Sequence, residues 1–191
     1  GEPMSLAAIQ AKVASGERLT RADALALFET RDLFALGRLA DQANRAKNGD
    51  KVYFNINRHL NPTNLCVYAL NCKFCSFAAT TKDPRGYTMS AGEMLEAVAG
   101  MEAAGATEIH IVGGIHPRLK YDWYRGIIAT LHAAHPAVHL KAWTAVEIDH
   151  FTKLTGWSVT EVLDDMRAAG LGSLPGGGAA LFQEETRERP R

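Results

Sequence analysis

Cysteine is scarce in this chain, with only three among 191 residues. So small and odd a number excludes a fully paired disulfide scaffold and predicts a reducing compartment, the cytoplasm. Charge of one sign is not in excess either: Lys plus Arg equals Asp plus Glu at 21 each, and like charges do not cluster. Without a basic surface there is no electrostatic footprint for nucleic acid. No apolar run nears the roughly 20 residues that cross a bilayer, and the N-terminal residues lack a signal-peptide pattern, so neither a membrane nor export is expected. Internal repeats and low-complexity linkers are also missing. What is present is 47% hydrophobic residues against 22% charged, enough apolar material for a packed globular core.

All three cysteines fall in one stretch, residues 61–77, NPTNLCVYALNCKFCSF. Cys66, Cys72 and Cys75 are spaced C-x5-C-x2-C. Thiolates this close on a loop after a strand suit a metal ion or an iron–sulfur cluster. With only three thiolates, a four-iron cluster keeps one iron open to another ligand. A zinc site completed by a histidine such as His59 and unligated thiols are the bland alternatives. Phe74 and Phe77 supply apolar cover that would exclude water around a cluster.

The first 48 residues read as three helices. Ser5 caps one over 6–15 that stops at Gly16, and Thr20 caps a second. Asp23, three residues on, is an imperfect capping-box partner, and Leu25, Leu27 and Phe28 form that helix's apolar face. Asp32 caps a third, with Leu33, Leu36, Leu39 and Ala43 at helical spacing and Gly49 at its end. Residues 1–50 are therefore expected to be a helical lead-in without chemistry of their own. The period then changes. Strands are predicted at 52–57 (VYFNIN), 108–112 (EIHIV), 138–145 (VHLKAWTA) and 171–174, with helices at 90–105, 121–135 and 158–170 between them. Strands alternating with helices predict βαβ units on a parallel sheet. About four such units are present, whereas a closed eightfold barrel takes ~250 residues. The expected fold is thus α/β, with residues 51–191 as the N-terminal half of a βα-barrel.

Polar and glycine features follow the strand ends, the rim on which barrel enzymes build their sites. Gly113-Gly114 ends the second predicted strand, and is either a tight turn or a place where backbone meets a small ligand. Gly176-Gly177-Gly178 carries the same two readings and resembles an anion-binding turn. Glu147, after the third strand, is placed to accept hydrogen bonds from an amine or a ribose, or to face water. His110 reads as an interior histidine, and His116 as a better-placed loop residue. Asn55, Asn57, Asn61, Thr63 and Asn64 read mainly as loop scaffold. No residue is singled out as catalytic.

The cysteine stretch, with Phe74 before the last cysteine, resembles the cluster loop of radical S-adenosylmethionine enzymes. YFNINRHLNPTNLC, EIHIVGGIHP, HLKAWTAVEIDHF and GLGSLPGGGA are similar to the aminofutalosine synthase family of menaquinone biosynthesis. HLKAWTAVEI favours that family over its sisters, dehypoxanthine futalosine cyclase and the deazaflavin-chromophore synthases.

The resemblance implies a radical SAM TIM-type barrel and a 4Fe–4S cluster on Cys66, Cys72 and Cys75. S-adenosyl-L-methionine would bind the open iron, with its methionyl amine at Gly113 and Gly114. Phe74, Glu147, Gly176 and Gly177 would lie near cofactor or substrate. It implies a transferase that adds a 5′-deoxyadenosyl radical to 3-[(1-carboxyvinyl)oxy]benzoate to give aminofutalosine, served by an electron donor such as flavodoxin or ferredoxin. Two departures stand out. The family spacing is C-x3-C-x2-C, which makes Ala69-Leu70-Asn71 a local insertion, and the family's enzymes run to roughly twice this length. An inactive, truncated metal-binding fragment is the remaining alternative.

Overall fold

A computed structural model describes residues 5–72 and 75–176. The chain separates into two compact units, Gly1–Phe54 and Asn55–Arg191.

The first unit holds α1 (Leu6–Ser15), α2 (Arg21–Glu29) and α3 (Leu33–Asn48). Ser5 and Asp32 cap α1 and α3, and Thr20 with Asp23 forms a complete capping box on α2. Asp23 does more than cap. Its carboxylate accepts from Lys12 Nζ at 2.8 Å, from the Thr20 N–H at 2.7 Å and from the Thr20 hydroxyl at 2.8 Å. This anchoring turns α2. Leu25 and Phe28 lie about 200° and 140° around the helix from Asp23, and they are exposed rather than forming the expected apolar face. The Lys12 bond, followed by those from Thr20, lowers the Asp23 pKa to about 2 from an ordinary 3.8. A depressed carboxyl pKa contributes stability above roughly pH 4 that is lost as pH falls through about 2. Asp23→Asn is accordingly expected to flatten the acid limb of a circular-dichroism pH titration between pH 4 and 2. An acid limb identical to that of the parent would rule the contribution out.

The second unit contains β1 (Asn57–Leu60), α4 (Ala91–Val98), β2 (Glu108–Ile111), α5 (Tyr121–Ala134), β3 (His139–Ala142), α6 (Ala145–Thr155) and α7 (Val159–Ala168). The strands form a parallel sheet in the order β1-β2-β3. A fourth position is marked by a parallel bridge from Lys141 to Ser173, with Ala142 N–H donating to Ser173 O and Gly172 N–H to Leu140 O. Alternation along β2 sends Ile109 and Ile111 into the core with Met94, Val98, Ile128, Leu131, Phe151 and Met166 of the helices. Glu108 and His110 take the opposite face. The observed architecture is a partial βα-barrel.

Three boundaries differ from the sequence reading. The β-rich residues 52–57 do not make the first strand, because the partner register on β2 falls at Asn57–Leu60. Val52, Tyr53 and Phe54 find no half-buried sheet surface and stay exposed, and β-propensity reports a fit to such a surface. α4 stops at Val98, since Gly100 and Gly105 both take left-handed backbone. β3 ends at Ala142, where Trp143 adopts φ 63°, and Thr144 begins α6.

Candidate active site at the carboxyl ends of the strands

The long β1–α4 connection is held by its own polar residues, as the sequence suggested. Asn61 Nδ2 donates to Val112 O at 2.7 Å, Thr63 Oγ1 to Tyr87 O at 2.7 Å, and Asn64 Nδ2 to Arg85 O at 2.9 Å. Thr63 is fully buried. These bonds fix the backbone that leads into Cys66, whose N–H donates to Ala79 O at 3.0 Å. Beyond it the chain makes a helix-like turn. Ala69 N–H donates to Cys66 O, and the N–H groups of Asn71 and Cys72 both donate to Tyr68 O. The longer spacing between the first two cysteines is absorbed there, with Leu70 facing solvent. Cys75 N–H then donates to Cys72 O at 3.1 Å. All three thiols are free, Cys66 half-buried and the other two exposed. Phe77, 40% exposed, packs edge-on against Tyr87 and so gives only partial cover.

Gly113 and Gly114 turn directly beneath this loop. A Cβ on Gly113 would stand 2.9 Å from Thr63 O, and one on Gly114 only 2.3 Å from Leu65 O. Gly114 N–H donates to Thr63 O at 2.7 Å, and Val67 N–H donates to Ile115 O at 2.9 Å. The side of the pair where side chains would stand is thus filled by the cysteine loop's own backbone. Among the described residues the carbonyl oxygens of Gly113 and Gly114 accept no hydrogen bond.

Glu147 lies in the first turn of α6 and is 5% exposed. It accepts from the Thr144 N–H at 3.0 Å and from the Thr144 hydroxyl, completing a capping box. Burial raises its pKa, and these hydrogen bonds oppose the rise. The carboxylate therefore ties Thr144, at the β3–α6 junction, to the first turn of α6. The sequence reading missed α6, although Thr144 and Glu147 stand in the T-x-x-E spacing that signals a helix start.

His116 is 7% exposed, and its Nδ1 accepts from the Arg118 and Leu119 N–H groups at 3.1 and 3.2 Å. Burial lowers its pKa, and the two backbone donors assign the remaining proton to Nε2. Gly176 is exposed with open space around it, whereas Phe74, Gly177 and Gly178 lie outside the described residues.

Below the rim, on the sheet face opposite the helices, His59 packs against His110 with ring centroids 4.5 Å apart and planes tilted by 38°. Lys141 Nζ pairs with Glu108 Oε2 at 3.0 Å. An open groove of about 780 Å³ between α5, α6 and α7 is lined by Tyr121, Arg125, Trp157 and Asp165, and contains none of the rim residues.

The donor chemistry of the rim fits a thiolate-held cluster with S-adenosylmethionine beside it. Three unpaired thiols sit on one loop, and two unpaired carbonyls face an ammonium's requirements. Among the described residues no three His, Cys, Asp or Glu side chains gather as they would around one metal ion. In a four-iron cluster each thiolate would bind an iron of its own. His59, the candidate fourth zinc ligand, is instead engaged with His110.

Comparison with known proteins agrees with this chemistry. The model of the Radical SAM superfamily matches residues 60–191. An aminodeoxyfutalosine synthase from Streptomyces coelicolor is 47% identical over 180 residues, covering 94% of this chain and 46% of the relative. An FO synthase from Mycobacterium tuberculosis is 36% identical over 164 residues, covering 86% of this chain and 19% of the relative. The chain thus spans less than half the length of these relatives. Among solved structures, the FeFe-hydrogenase maturase HydG from Carboxydothermus hydrogenoformans superposes with a TM-score of 0.56 at 19% identity, covering 90% of this chain and 47% of that one. At that identity the likeness speaks for the fold.

Proposed function

The chain belongs to the Radical SAM superfamily, and on that premise we propose that it is the N-terminal part of an aminofutalosine synthase-type enzyme of menaquinone biosynthesis. The observation that carries the reading is the 47% identity to an aminodeoxyfutalosine synthase along 94% of the chain. Radical SAM enzymes use a 4Fe–4S cluster and S-adenosylmethionine, and here Cys66, Cys72 and Cys75 would hold the cluster. The chemistry this pair supplies when bound is one-electron cleavage of S-adenosylmethionine to methionine and a 5′-deoxyadenosyl radical, which in this reading adds to the enol-ether double bond of 3-[(1-carboxyvinyl)oxy]benzoate.

The protein's own part is placement. The Gly113 and Gly114 carbonyls would accept hydrogen bonds from the methionyl ammonium, while Glu147 fixes the start of α6 through Thr144. His116 presents a neutral imidazole with its proton on Nε2. Reduction would come from a small electron-transfer protein such as a flavodoxin or ferredoxin. Among the described residues no helix is long and apolar enough to cross a membrane.

The test is anaerobic incubation of the reconstituted chain with dithionite, S-adenosylmethionine and the enol ether, followed by mass spectrometry. Aminofutalosine together with methionine is expected. Formation of 5′-deoxyadenosine only with a futalosine-derived or tyrosine-type substrate would move the chain to a sister activity, the reading that the FO synthase likeness favours.

A further inference from the structure

The inside of an eightfold barrel is ordinarily filled by Val, Ile and Leu in layers. Here the strand residues on the face turned away from the helices are Asn57, His59, Glu108, His110, His139 and Lys141, and none is apolar. The register sets them in two rows, Asn57–Glu108–His139 and, one step nearer the rim, His59–His110–Lys141. Such a face is not made to be packed shut.

Its hydrogen-bonding capacity is unbalanced. Lys141 spends one of its three N–H donors on Glu108 Oε2 at 3.0 Å. Burial, with His59 next, lowers the His110 pKa and favours its neutral ring, which carries one N–H and one acceptor nitrogen. His139 is already bonded to Ser173 Oγ at 2.7 Å. Glu108 is 6% exposed, yet its Oε1 has no hydrogen-bond partner among the described residues. A buried carboxylate oxygen is costly to leave unpaired, which marks the layer as incomplete without a further group. Lys141 keeps two unspent N–H donors, and the protein's own charges cancel between Lys141 and Glu108. A small anion with two acceptor atoms suits the two remaining donors of Lys141, and the imidazoles of His59 and His110, tilted by 38° to each other, put two aromatic rings in the same row.

We propose that the His59–His110–Lys141 layer, bordered by Glu108, is a carboxylate-binding subsite for an aryl acid, with Lys141 as its anchor. The aryl part rests on the proposed function, in which this layer receives the benzoate end of the enol ether. Glu108 shares the lysine with the ligand and competes for it.

The test is calorimetric titration of the 191-residue chain with 3-methoxybenzoate and with its neutral counterpart, 3-methoxybenzamide. The acid is expected to bind about tenfold more tightly than the amide, as a charge-assisted hydrogen bond to a partly buried lysine provides. Lys141→Met should bring the two ligands within about twofold of each other by weakening the acid alone, and Lys141→Arg should restore the preference. Glu108→Gln should widen it, because a competing negative charge is removed and Lys141 is released. An equal affinity for acid and amide in the parent, or a preference indifferent to both Lys141→Met and Glu108→Gln, overturns the proposal. Should Lys141→Met lose its fold, the Glu108→Gln result decides. Because the titration needs no cluster, a subsite that behaves as expected in a chain that makes no aminofutalosine would sink the synthase reading alone. Synthase activity with no acid preference would sink the subsite alone.

Discussion

Gly114→Ala is expected to destabilise the second unit by about 3 kcal/mol, the upper end of what forced overpacking costs, and to displace the cysteine loop. The reason is the identity of the obstructing atom. The new methyl carbon would stand 2.3 Å from Leu65 O and 2.7 Å from Leu65 C. Those are backbone atoms, held in place by the Ala79 N–H to Asn64 O bond at 2.8 Å and the Cys66 N–H to Ala79 O bond at 3.0 Å. No side chain can swing aside, so either the turn or the loop must move, and Cys66 moves with Leu65. Gly113→Ala, whose Cβ would meet Thr63 O at 2.9 Å, should cost about 1 kcal/mol. Urea unfolding of the two variants gives the comparison. If Gly114→Ala costs no more than Gly113→Ala, the loop does not lie on the glycine turn as described.

Cys75→Ser should carry an effect of the other kind: a chain that folds but, after anaerobic reconstitution, stays nearly colourless and falls from about four irons to background. Serine keeps the size of the side chain but loses the thiolate that iron requires. Cys66→Ser and Cys72→Ser should behave in the same way. Leu70→Ser is the control, since Leu70 is 81% exposed in the helix-like turn that separates the first two cysteines. It should retain the full iron content and the broad visible absorption. Iron retained in all three cysteine variants would remove these residues as ligands. A colourless parent that binds one zinc would restore the zinc alternative.

Much of the framework was legible because it is specified locally. The Ser5, Thr20, Asp32, Ser90 and Ser158 caps, each bonding a backbone N–H three residues on, mark helix starts within a few residues of sequence. Gly16 ends α1 in the left-handed region, another short-range constraint. The cysteine spacing and the polar scaffold around it are local as well, and so is the alternation that puts Ile109 and Ile111 on one face of β2. The errors fell where a distant partner decides. Residues 52–57 have higher β-propensity than Asn57–Leu60, but only the latter can pair with Glu108–Ile111 while burying Leu60. In 138–145 the β-branched and aromatic residues masked the α6 start, because Trp143 takes left-handed backbone that propensity does not anticipate.

The candidate site divides in the same way. The sequence by itself determined which groups are available: three thiols on one loop, a glycine pair after a strand, a carboxylate at 147, and a βα order that brings strand ends to one rim. Only the tertiary structure decided what each group faces. It filled the side-chain positions of Gly113 and Gly114 with the backbone of the cysteine loop, a contact between segments some fifty residues apart. It turned Glu147 inward onto Thr144, and it set His59, His110 and Lys141 side by side from three separate strands. Caps and turns are satisfied by neighbours along the chain and can be read there. Register and close approach are satisfied across the sheet, and they exist only once the strands have paired.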